Sequence, residues 1–258
     1  MSELIRDPTE RFSDRVSDYI KYRPHYSPDV VKALQQACVL TPEHVIADVG
    51  CGTGLLAEIL LENGNTVIGV EPNLEMRKAG EQYLSQFASF RMVAGSAEST
   101  TLPDASLDFV VAAQAFHWFR PELTRKEFSR ILKPGGWAVL IWHDRDTEST
   151  SFLRAYEDFL VRYATDYTLV AHNKVANYGA LKRFYSPSPM QLIVQHTRQQ
   201  FDFEGLRGRL LSSSYAPREG AAAEAMLREL PELFSRYAQH GQVILEYATT
   251  IYYGHLTV

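Results

Sequence analysis

Val45-Ile46-Ala47-Asp48-Val49-Gly50-Cys51-Gly52-Thr53-Gly54 runs a short apolar strand pattern into three glycines spaced two apart, and a helical pattern, Leu55 to Leu61, follows at once. Glycines at such a junction let a ligand come close to the backbone, and the helix start offers unpaired N–H groups. A dinucleotide fingerprint needs glycines at the first, third and sixth places of its loop. Here the sixth place is Leu55. An acidic residue, Glu71, ends the next strand pattern, where its carboxylate can accept both hydroxyl protons of a ribose. A glycine turn or a capping acid alone is ordinary punctuation. The two together, at this spacing and in this strand order, mark a nucleoside-binding loop.

Outward from that loop the chain alternates. Ser27 as N-cap and Pro28 at the first helical position open a helix striped by Val30, Val31, Leu34, Ala37 and Cys38. Thr66 to Val70 is a second strand, followed by a helix ending near Phe87. Phe90 to Ala94 and Asp108 to Ala113 read as the third and fourth strands. Pro121 to Leu132 is helical, Lys133-Pro134-Gly135-Gly136 stops it, and Trp137 to Trp142 is a fifth strand. Strands alternating with helices imply parallel pairing in a doubly wound α/β sheet.

After His143 the rhythm changes. Phe152, Tyr156, Phe159, Tyr163 and Tyr167 make an aromatic stripe at helical spacing, either core packing or the wall of a pocket. An irregular stretch at 173–189 follows. The tail holds a strand near Thr197 to Phe203, a helix near Gly220 to Ala238 and a last strand near Ile244 to Tyr253. Arg207, Arg209 and Arg218 form a loose basic group beside Tyr215, by default a solvated surface, otherwise a receiver for an anionic substrate.

Composition sets outer limits. The 26 Lys+Arg against 31 Asp+Glu leave a net charge of −5, which argues against a nucleic-acid-coating protein. Two cysteines, Cys38 and Cys51, are too few for a disulfide framework and read as free thiols in a reducing compartment. The first residues are charged and lack an apolar signal core, and no apolar run is long enough to cross a bilayer. The expectation is a soluble, cytoplasmic protein with no membrane or nucleic-acid partner. The histidines lack partners at metal-ligand spacing, so no metal is expected.

The runs D-V-G-C-G-T-G (48–54), G-V-E-P-N (69–73) and L-K-P-G-G (132–136) resemble the class I S-adenosylmethionine-dependent methyltransferases. More narrowly, Y-I-K-Y-R-P-H-Y (19–26), A-Q-A-F-H-W-F (113–119) and L-S-S-S-Y-A-P (211–217) resemble their type 11 small-molecule branch, which includes enzymes similar to trans-aconitate methyltransferases. The resemblance implies a Rossmann-like seven-stranded sheet, mostly parallel with one antiparallel strand. It implies one domain: an N-terminal cover (1–27), a cofactor-binding core (28–148), a helical lid or substrate insertion (149–190), and C-terminal strands and helix (191–258). The implied cofactor is S-adenosylmethionine. Gly50 and Gly52 would pass under its methionine part and Asp48 would help hold the α-amino end. Glu71 would bind the ribose, Pro72 would flank the adenosine, and Ala97 or Glu98 would meet the adenine. Gln114 would face the methionine part, with Tyr19 and Arg23 folding over from the N-terminus.

A sulfonium methyl needs alignment and exclusion of water more than a base. His117 is the candidate base, and Trp118, His143 and Tyr215 the candidate substrate-pocket residues. The resemblance favours methylation of oxygen in a small carboxylic acid. The alternatives are a hydroxyl acceptor served by His117, a non-catalytic S-adenosylmethionine-binding protein, and an NAD(P)-dependent oxidoreductase, which Leu55 and the lack of a Y-x-x-x-K run disfavour. The sequence sets no oligomeric state.

Overall fold

The computed structural model describes residues 25–164, 178–213, 215–217 and 219–256. Its centre is a seven-stranded sheet in the order β3-β2-β1-β4-β5-β7-β6. The strands are β1 (Val45–Val49), β2 (Thr66–Val70), β3 (Phe90–Val93), β4 (Leu107–Ala113), β5 (Leu132–Arg145), β6 (Gln191–Phe201) and β7 (Val243–Gly254). β1 to β5 pair in parallel, and β7 runs antiparallel to both β5 and β6. The doubly wound sheet with one reversed strand is therefore as the sequence implied. The order reverses between β1 and β4, the place where open α/β sheets bind ligands beyond the strand ends.

The central strands are apolar without alternation because helices cover both their faces. On one face, α1 (Asp29–Cys38) and α2 (Leu55–Glu62) pack Leu34, Leu56 and Leu60 on Ile46, Phe109, Val111 and Ile141. The other face takes Phe128 and Ile131 of α4 (Pro121–Ile131) together with Phe184 and Tyr185 of the helical residues 178–185. α3 (Leu74–Tyr83) flanks β3. A third apolar cluster joins α5 (Ser151–Tyr163), α6 (Phe203–Leu211), α7 (Gly220–Tyr237) and β7. Phe152, Tyr156 and Phe159 are buried there, so the aromatic stripe is core packing. Tyr167 lies outside the described residues.

Three boundaries and one helix differ from the sequence reading. Helix α1 begins one residue later than the Ser27 cap implies, at Asp29, yet Ser27 Oγ still accepts the Asp29 N–H at 3.2 Å. β5 absorbs the Lys133-Gly136 turn because Leu132 pairs with Leu107 across an irregularity in register. β6 starts at Gln191 and not near Thr197, since β7 supplies an antiparallel partner for every residue from Gln191 to Phe201. Helix α6 has no counterpart in the sequence reading. Its N-cap Asp202 accepts the Gly205 N–H at 2.8 Å, a local signal that Gly205 and Gly208 obscured.

Candidate functional site

The glycine loop leaves β1 at its carboxyl end. Gly50, Gly52 and Gly54 all have positive φ, at 70°, 58° and 88°. At Gly50 space adds a second constraint: a Cβ there would stand 2.7 Å from Ala115 Cβ. The loop is thereby pressed against the chain that follows β4, and its N–H groups turn towards β2. Glu71, buried at the end of β2, collects two of the local amides. Oε2 accepts the Gly52 N–H at 3.0 Å and Oε1 the Asn73 N–H at 2.9 Å. Arg77 braces the same turn by donating to the carbonyls of Glu71 and Pro72, both at 2.7 Å. Asn73 then caps α3 by accepting the Met76 N–H at 2.9 Å.

Asp48 is the most buried acid of the site, 1% exposed. The Cys51 thiol and the Ala57 amide hydrogen-bond to it, while its Oδ2 has no partner among the described residues. Burial, reinforced by the Glu71 charge, pushes its carboxyl up to about 7. Burial likewise raises Glu71, against the lowering pull of its two amide bonds. Two desolvated carboxyls beside a glycine loop lack only a cation and hydroxyl donors. The α-amino group and ribose of S-adenosylmethionine carry these donors, so the residues present fit that cofactor.

The other sequence candidates fall as follows. Ala97 is buried in the Ser96–Ser99 turn. Glu98, next to it, accepts the Arg120 N–H at 2.8 Å at the start of α4, so its carboxylate also braces the chain. Pro72 is exposed at the mouth of β2. Gln114 adopts φ 53° and donates Nε2–H to the His143 carbonyl at 2.6 Å, joining the ends of β4 and β5. His117 and Trp118 stand half-buried on the 3-10 turn Phe116–Trp118, their rings 4.7 Å apart. Tyr19 and Arg23 lie outside the described residues. Of the N-terminal stretch, Tyr26 is seated edge-on to His143, ring centroids 5.8 Å apart.

His143 is set by its neighbours. Its Nδ1 is 2.7 Å from Thr249 Oγ1, its ring stacks on Tyr247 at 4.5 Å and 16°, and its Nε2 is buried without a partner among the described residues. Burial, with the nearby Arg209 charge, lowers it from 6.5 to about 4, so it is neutral at pH 7. Tyr247 and Thr249 escaped sequence reasoning. Their signal is only the alternation of β7, whose odd-numbered residues from Val243 to Tyr253 are buried. Tyr215 is half-buried within electrostatic reach of Tyr156 and Arg209. Of the three arginines, Arg207 is exposed and 3.8 Å from Glu204, Arg209 is buried, and Arg218 lies outside the described residues. Among the described residues, no cluster of three or more His, Cys, Asp or Glu could hold a metal ion, and no helix is long and apolar enough to cross a membrane.

Comparison with known proteins converges on the same segment. Residues 47–140 match the methyltransferase domain family. An uncharacterized methyltransferase of Mycobacterium tuberculosis is 36% identical over 141 residues, 55% of this chain and 55% of its own. A malonyl-[acyl-carrier protein] O-methyltransferase of Marinomonas is 31% identical over 137 residues, 52% of this chain and 50% of its own. The chain thus spans about half the length of the curated relatives it matches. A solved structure from Anaeromyxobacter dehalogenans, provisionally a type II methyltransferase, shares the fold. Its TM-score is 0.69 at 22% identity, over 91% of this chain and 98% of its own. The fold and the glycine-loop site define a Rossmann-like methyltransferase domain. The domain match at 47–140, the methyltransferase relatives and the shared fold support a class I S-adenosylmethionine-dependent methyltransferase.

Proposed function

We propose that the protein binds S-adenosylmethionine at the Gly50–Gly54 loop and transfers its methyl group to an oxygen of a small carboxylic acid. The observation that carries the cofactor half is the pair of buried carboxyls, Asp48 and Glu71, on either side of that loop. Glu71 holds the ribose hydroxyls, Asp48 the α-amino end, and Gly50 and Gly52 the methionine part. Pro72 and Ala97 line the adenosine side, with Glu98 beside the base. Gln114 faces the methionine part, to which the resemblance also assigns Tyr19 and Arg23. The 149–190 stretch forms part of the acceptor side; residues 1–24 and 165–177 lie outside the described residues.

The cofactor supplies a methyl group already activated on a sulfonium. A carboxylate oxygen brings the electron pair for the new O–C bond, so no proton has to move, and the pair from the broken C–S bond stays with the sulfur. Burial holds His143 below the usual histidine range, at about 4, so it is a poor base for an alcohol at neutral pH, and a hydroxyl acceptor would depend on His117. The Marinomonas relative, named for O-methylation of a malonyl group, supports the same class. Trp118, His143 and Tyr215 contribute the pocket wall.

The test has two parts. Calorimetry should detect S-adenosylhomocysteine and S-adenosylmethionine and no comparable binding of NAD. Glu71→Ala should weaken S-adenosylhomocysteine about tenfold or more, as charge-assisted hydrogen bonds are lost. Radiolabelled methyl transfer to a library of acids, alcohols, phenols and amines should yield acid esters. Tighter binding of NAD would overturn the cofactor reading, and transfer only to amines or nucleic acid the acceptor reading. Tight cofactor binding with no turnover on any acceptor would leave a binding protein in place of an enzyme.

A further inference from the structure

β6 is the last strand of the sheet, so one side of it has no neighbouring strand. Its 11 residues pair one-to-one with β7, without a bulge. Among the described residues, no backbone group bonds to the N–H and C=O groups on its outer side. Proteins usually protect such an edge with lysine, proline or a bulge, which blocks pairing with another chain. The run Gln191-Leu192-Ile193-Val194-Gln195-His196-Thr197-Arg198-Gln199-Gln200-Phe201 has none of these. Leu192 and Val194 stand exposed on it, at 47% and 46%. The edge is long, regular and unprotected.

Its side chains say what fits there. The face that packs Ile193 towards α1 carries Gln191, Gln195 and Gln199, spaced four apart. Gln195 donates Nε2–H to the Asp29 carbonyl at 2.8 Å. The side-chain oxygens of Gln195 and Gln199 are buried and have no hydrogen-bond partner among the described residues. An unmet buried acceptor is costly, and an amide that both donates and accepts answers it. The last torsion of glutamine is soft, so each oxygen can turn towards the edge.

Pairing of β6 with a second copy of itself supplies those amides. A two-fold axis normal to the sheet runs the strands antiparallel and sets residues of the same face opposite each other. With the axis at Gln195, that residue meets Gln195 of the second copy, and Gln191 meets its Gln199. All three glutamines then face an amide. On the other face Leu192 lies under the stem of Arg198, whose guanidinium stays with Glu246 at 2.8 Å, and Val194 meets His196. No like charges stand directly opposite. Moving the axis by one residue pairs none of the three glutamines with each other. Moving it by two leaves one unmatched, and an axis at Thr197 also sets Arg198 against His196.

We infer that the protein forms a two-fold dimer through the free edge of β6, centred on Gln195, joining the two sheets into one. The glycine loop follows β1, with β4, β5 and β7 between it and the junction, so each copy keeps its own cofactor site clear.

Sedimentation velocity on the full chain tests the dimer, and crosslinking tests its register. The wild type should sediment as a dimer at tens of micromolar. Val194→Lys changes an exposed residue beside the axis and should weaken the dimer roughly tenfold, with S-adenosylhomocysteine affinity unchanged. With a short bismaleimide, Gln195→Cys should crosslink to itself. Gln191→Cys and Gln199→Cys should crosslink to each other after mixing, and neither to itself. Cys38 and Cys51 are buried, and the wild type gives the background. A monomer at every concentration overturns the inference, and that reading needs no variant. So does a dimer that Val194→Lys leaves intact, or a crosslinking pattern centred on another residue.

Discussion

Asp48 makes cofactor binding a proton-coupled event. Its carboxyl stands at about 7, against an ordinary value of about 3.9. The cause is burial, with Oδ2 lacking a partner among the described residues. A cation brought against that oxygen restores the ordinary value, and the proton leaves. At pH 6 about nine in ten unliganded molecules hold the proton, at pH 7 about half, and at pH 8 about one in ten. Binding of S-adenosylhomocysteine should release those fractions of a proton, and its affinity should fall about tenfold from pH 8 to pH 6. The assay is titration calorimetry at pH 6 in buffers of low and high ionisation enthalpy, whose slope counts the protons. Asp48→Asn removes the titrating group. It should flatten both the buffer slope and the pH dependence, although Glu71 keeps its own raised carboxyl. The sign for stability is opposite. A raised folded value means stability present below 3.9 that is lost as pH rises through 7. Unliganded Asp48→Asn should therefore be more stable than wild type at pH 8, by up to about 4 kcal/mol. An identical proton count in wild type and Asp48→Asn would refute the placement of the cofactor's α-amino group at this carboxyl.

Gly50→Ala should destabilise the protein by about 1–3 kcal/mol in urea unfolding, from a positive φ and a Cβ 2.7 Å from Ala115. His117→Gln should leave kcat largely intact on an acid, with a flat rate from pH 6 to 8. On an alcohol it should cut kcat by roughly 10²–10⁴. For His143 the depressed value means stability present above 6.5 and lost as pH falls towards about 4. The advantage of wild type over His143→Gln should therefore shrink by about 3 kcal/mol between pH 7 and 4 in urea titrations, whereas a constant difference would show that burial does not depress this histidine.

The sequence by itself determined the sheet and the glycine loop with its facing acid, because both are written in short-range signals. Strand–glycine–helix at 45–61 and strand–acid at 66–71 each lie within two dozen residues. There, periodicity and backbone freedom settle the local conformation, and parallel pairing with a right-handed crossover leaves little choice of topology. Edges were harder. β6 is lined with Gln, His and Arg and reads as a strand from Gln191 only once β7 lies beside it. Only the tertiary structure decided the grouping around His143. His143, Arg209, Tyr247 and Thr249 come from β5, α6 and β7, and their grouping depends on the reversal of β7 against β5. Nothing local distinguishes buried Arg209 from exposed Arg207 two residues earlier. What separates them is which face of α6 turns towards β7, and hence whether the charge is solvated or buried against Tyr247.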